Sequence, residues 1–79
     1  MIFRRKGETP DQVRERAQKR LSRLTTPDIL NWADQAGTGI AKALDDYRRL
    51  GDQQSLDEAQ NGISAVAGAI DVLSSRHTG

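Results

Sequence analysis

From residue 29 onward the apolar positions of this chain fall at Ile29, Ala33, Ala36, Ile40, Ala43, Tyr47 and Leu50, in alternating steps of four and three. That spacing keeps one face in register along a long helix. Leu30, Gly37, Ala41 and Leu44 widen the stripe. The same rhythm returns at Leu56, Ala59, Ile63, Val66, Ile70 and Leu73, with Gly62, Ala65 and Ala69 beside it. Residues 47–59 separate the two runs and carry break signals. Gly51 follows the last periodic residue and can close a helix in the left-handed conformation. Ser55 with Glu58 has the spacing of a capping box, and Asp57 and Glu58 suit the positive end of a helix dipole. Upstream, Thr26, Pro27 and Asp28 form a start signal of cap, first helical residue and dipole partner. Residues 27–50 and 56–75 therefore read as two antiparallel helices.

A second start signal stands at Thr9, Pro10 and Gln12, followed by Val13, Ala17, Leu21 and Leu24 at helical spacing. This predicts a short first helix ending near Arg23, with a stripe too narrow to stand alone. It is expected to lie on the hairpin, against Trp32 or Ile29. The fold class is all-α: a long antiparallel helical hairpin preceded by a short basic helix. Residues 1–8 read as a flexible basic arm, 9–75 as a single three-helix domain and 76–79 as a frayed tail.

Small residues dominate both long stripes, so packing depends on close approach more than on side-chain bulk. Gly37, Gly39, Gly62 and Gly68 each sacrifice about 1 kcal/mol of helix propensity relative to alanine. Gly62, which borders the stripe, is the candidate for a close helix crossing. Gly37, Thr38 and Gly39 together mark a place where the helix can kink or break.

The 79 residues allow one small domain, and the formal charge of +1 conceals an uneven distribution. Residues 1–24 hold eight basic and three acidic side chains, a net of +5, whereas residues 25–79 hold four and eight, a net of −4. Such a split can steer a partner or hold the two parts together. The stripes are wider than one helix–helix contact covers, which predicts a homodimer. There is no cysteine, hence neither disulfide nor thiolate metal site, and a cytoplasmic location is expected. No apolar run reaches the length of a membrane span, and the opening residues lack the apolar core of a signal peptide.

Catalytic chemistry is not legible. There is no metal-ligand spacing, and residues 52–58 lack the alternating oxygen ligands of a calcium loop. Gly37, Thr38, Gly39 and Lys42 lack the glycine spacing and the Lys-Ser/Thr pair of a phosphate loop. Asp45 and Asp46 are neighbours on a helix and point apart, and nothing orients His77 as a base. The expectation is a non-enzyme without cofactor or metal. Two surfaces remain as candidates. Ile29, Trp32, Ala36, Ile40, Ile63, Val66 and Ile70 are the expected protein interface, for self-association and for another protein. Arg14, Arg16, Lys19, Arg20 and Arg23 on the first helix are the alternative, as a contact for nucleic-acid phosphates. They lack stacking aromatics and a recognition-helix setting. Ile2 and Phe3 beside Arg4, Arg5 and Lys6 would give only a weak membrane anchor, so stable insertion is not expected.

The turn also carries a family likeness. Tyr47, Gly51, Asp52, Leu56, Asp57, Glu58 and Ala59 resemble the linker of a tetratricopeptide repeat, in the slightly lengthened form of actinobacterial repeat proteins. The resemblance covers the middle half of the chain and implies a helical hairpin, a packing role for Tyr47 and Ala59, and protein binding. The sequence departs from it at Lys42, Ala43 and Leu44, where the family has Leu-Gly, and it holds a single unit where such repeats need neighbours. The functional expectation is a small non-enzymatic protein–protein interaction module. A nucleic-acid-associated regulatory protein is the alternative.

Overall fold

The structure, a computed structural model, describes residues 8–77. It is all-helical, with α1 at Pro10–Leu21, α2 at Thr26–Leu50 and α3 at Gln53–His77, and no strand among the described residues. The basic arm predicted for residues 1–8 lies outside the described residues except for Glu8.

The helix boundaries follow from local capping. Thr9 accepts a hydrogen bond from the Gln12 amide (3.2 Å), and the Gln12 side chain accepts one from the Thr9 amide (2.8 Å), closing a capping box ahead of Pro10. α2 starts one residue earlier than the sequence suggests. Thr25, not Thr26, is the cap: its backbone is extended, its hydroxyl accepts from the Asp28 amide (3.3 Å), and its carbonyl accepts from Ile29 N–H (3.0 Å). With two threonines in a row, the one placing Asp28 three residues into the helix takes the cap. Gly51 ends α2 in the left-handed region (φ 66°), and its amide donates to the Tyr47 carbonyl at 2.7 Å.

α3 begins at Gln53, so only Gly51 and Asp52 connect the two long helices, and Ser55 is not the cap. Ser55 is buried, and its hydroxyl donates to the Asp52 carboxylate at 2.6 Å. The bond is strong because its acceptor is ionised, and it ties the first turn of α3 to the connection that precedes it. α2 continues without a break through Gly37, Thr38 and Gly39, with the Thr38 hydroxyl donating to the Asp34 carbonyl at 3.3 Å.

α3 is the element against which both of the others pack. The core cluster is Val13, Ala17 and Leu21 of α1, Ile29 and Ala36 of α2, and Ala65 and Ala69 of α3, with Leu24, Trp32, Val66, Val72 and Leu73 packed partly against it. Among the described residues only Val13, Leu21 and Ile29 are large side chains with almost no exposure. Bulk is therefore scarce, and close backbone approach replaces it. The closest approach is at Gly68, where a β-carbon would stand 2.6 Å from the Arg14 carbonyl oxygen and 3.0 Å from Ala17 Cβ. Gly62, expected at a close crossing, is also buried.

Of the tail expected to fray, residues 76–79, Arg76 and His77 are the last residues of α3, and residues 78 and 79 lie outside the described residues. The Arg76 guanidinium donates to the Ser22 carbonyl (3.2 Å), the Leu24 carbonyl (2.6 Å) and the Thr26 hydroxyl (3.1 Å). It thereby satisfies carbonyls left without helical partners where α1 ends, and ties the end of α3 to the turn between α1 and α2.

Two glycine substitutions should move stability in opposite directions. Gly68→Ala should lower it by roughly 1–2 kcal/mol: the added Cβ meets a backbone oxygen, so the overpacking loss is at the upper end, about 2–3, offset by about 1 of helix propensity. Gly37, with open space around its missing side chain, should gain about 0.5–1 kcal/mol as alanine. Urea unfolding followed by circular dichroism measures both. A Gly68→Ala protein as stable as the parent would mean that α1 does not lie this close to α3.

Candidate interaction surfaces

The five basic residues of the first-helix candidate do not share one side. At about 100° per residue, Arg16, Lys19 and Arg20 fall on the side of α1 away from α3, Arg14 and Gln18 fall on the flank that meets it, and Arg23 lies in the turn beyond α1. Arg14 is committed to α3: its Nε and Nη2 donate to the two oxygens of Asp71 at 2.6 and 2.8 Å. Gln18 Nε2 donates to the same carboxylate at 2.6 Å. Hydrogen bonding from Arg14 holds the Asp71 carboxyl below its ordinary range, Gln18 adds to this, and partial desolvation opposes it. Asp71 in turn raises the Arg14 guanidinium. Arg16 is also engaged, donating through Nε (3.0 Å) and Nη2 (2.9 Å) to Glu8, whose side chain is largely covered. Lys19, Arg20 and Arg23 are exposed and make no ion pair among the described residues. The positive surface is thus a cluster of three at the end of α1.

The expected protein-interface residues divide as well. Ile29 and Ala36 have no exposed surface and belong to the core of the single chain. Trp32 and Val66 are half-buried against that core. Ile40 is half-buried, while Ile63 and Ile70 are each 56% exposed. Leu30 (54%) and Leu44 (47%) are similarly bare. The sequence reading registered these two leucines only as widening a stripe. The informative signal is their position one residue beyond the buried Ile29 and Ala43, about 100° round the helix from each. On α3, Ile63 and Ile70 lie roughly 150° round from Gly68, far from the flank that carries α1.

An open cleft of about 350 Å³ between α1 and α3 is lined by Gln18, Ser22, Asp71, Val72, Ser75 and Arg76. Its charged walls are occupied by the contacts already described, with Asp71 held by Arg14 and Gln18 and Arg76 held by backbone carbonyls. Elsewhere, Arg49 pairs with Asp45 (3.4 Å) and with Asp46 one turn back on α2, which accounts for both aspartates of that pair. Among the described residues no three His, Asp or Glu side chains come together, and no helix is long and apolar enough to cross a membrane. The chain matches no protein-family model, no curated protein and no solved structure.

The Asp71 contact has a pH signature. Its carboxyl titrates lower folded than unfolded, so its stabilising contribution is complete above the ordinary aspartate value and is lost as pH falls through the lowered one. Unfolding midpoints of the parent and Asp71→Asn should therefore differ at neutral pH and converge below about pH 4, the ordinary range of an aspartate. A gap that persists unchanged into acid would remove Asp71 from the anchoring of α1.

Proposed function

We propose that this chain is a small non-enzymatic protein–protein interaction module, in which α2 and α3 form a long antiparallel hairpin, braced on one side by α1 and open to a protein partner on the other. The carrying observation is that Leu30, Leu44, Ile63 and Ile70, four of the five exposed large aliphatic side chains among the described residues (Leu50 is the fifth), are bare, whereas the core fully buries only Val13, Leu21 and Ile29 of that class. In an antiparallel helix pair the residues just past the contact on corresponding flanks fall on the same side. Ala33, Ile40, Leu30 and Leu44 of α2 then share a side with Ile63 and Ile70 of α3, and α1 is on the opposite side. Contiguous apolar surface of this kind marks an interaction site. The likeness of residues 47–59 to a tetratricopeptide linker supports the same reading, since Ala59 is buried where that family packs its helices. A cytoplasmic location goes with it, because a cysteine-free chain needs no oxidising compartment.

A second reading is carried by Lys19, Arg20 and Arg23. Three exposed cations, two at the end of α1 and one in the turn after it, can meet phosphates, with an affinity that falls steeply with salt.

A photocrosslinking residue at position 63 or 70, introduced in cells, separates the two. The module reading predicts one discrete protein adduct from either position and none from position 20. Adducts to nucleic acid from position 20, together with silent positions 63 and 70, would transfer the function to the basic cluster.

A further inference from the structure

We infer that the partner on the bare flank of α2 and α3 is a second copy of this chain, with the two α3 helices meeting around Ile63, Ala67 and Ile70. The inference rests on the module reading above and names its partner. α3 has no charged residue between Glu58 and Asp71. Residues 59–70 make more than three helical turns, so every side of that stretch is uncharged. Two sides are accounted for within the chain: Gly68 lies under α1, and Ala59, Gly62 and Ala69 are buried in the bundle. The third side carries Ile63 and Ile70, more than half exposed, with Gln60, Ser64 and Ala67 beside them. A helix side that faces water ordinarily carries charge, whereas the centre of an interface is depleted of it.

The same composition suits a copy of the chain. At a twofold axis each residue meets itself or its near neighbours, so a charge there would face a like charge. Here the centre offers none. Two isoleucines seven residues apart, with small Ser64 and Ala67 between them, form a ridge beside a shallow groove. Such a shape can pair with itself about a twofold axis near Ala67, which brings the two Ala67 residues together and sets Ile63 of one copy beside Ile70 of the other. The extent also fits. Helices of 25 residues are about 37 Å long, and two of them side by side present roughly 20 Å of width, or about 750 Å². Specific dimers bury about 800 Å² per partner. With α1 on the opposite side, Lys19, Arg20 and Arg23 of both copies remain in solvent.

Light scattering on a sizing column should give twice the 8.7 kDa chain mass at loadings up to about 200 µM, and high salt should not dissociate it. Ile63→Glu and Ile70→Glu should keep the helical circular dichroism and raise the dissociation constant at least about thirtyfold, the size of a hot-spot loss. Because the chain has no cysteine, Ala67→Cys adds an independent readout: it should form an intermolecular disulfide under mild oxidation, and Arg20→Cys should not. A single-chain mass at every loading would overturn self-pairing. The module reading would still stand if positions 63 and 70 captured a foreign protein in cells. A dimer indifferent to both glutamates, with no disulfide at position 67, would overturn it equally, by assigning self-association to another face.

Discussion

α1 lies on α3 at a distance that only a glycine at position 68 permits. The Arg14 carbonyl oxygen occupies space that any β-carbon would claim, and Ala17 and Gln18 close in beside it. The rest of the single chain depends on that approach. It puts Val13, Ala17 and Leu21 within reach of Ala65 and Ala69, and it aims Arg14 and Gln18 at Asp71. It also sets the end of α1 where Arg76 can take the carbonyls of Ser22 and Leu24. Dispersion falls off steeply with separation, so an alanine-and-glycine interface is cohesive only when the backbones are close.

Such a core is thin. Val13, Leu21 and Ile29 contribute about 1.5–3 kcal/mol each, against a total stability of roughly 4–12 kcal/mol for a chain of this length. The shape agrees: the radius of gyration is 13.0 Å, where a compact domain of this length has about 12 Å, and the molecule measures 44 × 24 × 17 Å. α3 is placed centrally because its uncharged residues can face α1 and α2 at once. None of the described residues covers the side bearing Ile63 and Ile70, each 56% exposed, and the protein-binding reading grows from that asymmetry.

Three helices and the all-α class were legible from periodicity, since steps of three and four over two dozen residues admit no other element. Thr9 with Gln12, and Gly51, were legible because each signal is local. Position was lost where two residues competed for one role. Thr25 took the cap from Thr26, and α3 starts at Gln53, two residues ahead of Ser55. The division of the stripes was not legible, because periodicity identifies an apolar side without saying which neighbour covers it. Ile29 and Ile63 look alike in sequence, yet one is fully buried and the other bare. The basic residues were misleading for the same reason: Arg14 and Arg16 find their acids at positions 71 and 8, on other elements of the chain.

The central claim is that α3 serves three neighbours, two within the chain and one outside it. Isotope-filtered methyl NOEs on an equal mixture of labelled and unlabelled chains test this most directly. The account predicts intermolecular contacts from the methyls of Ile63, Ile70, Leu30 and Leu44, and none from Val13 or Leu21. Intermolecular contacts from Val13 and Leu21 would mean that α1 packs on another copy and that the division of faces described here is wrong. An absence of intermolecular contacts at every methyl would mean that no second copy covers the uncharged side of α3.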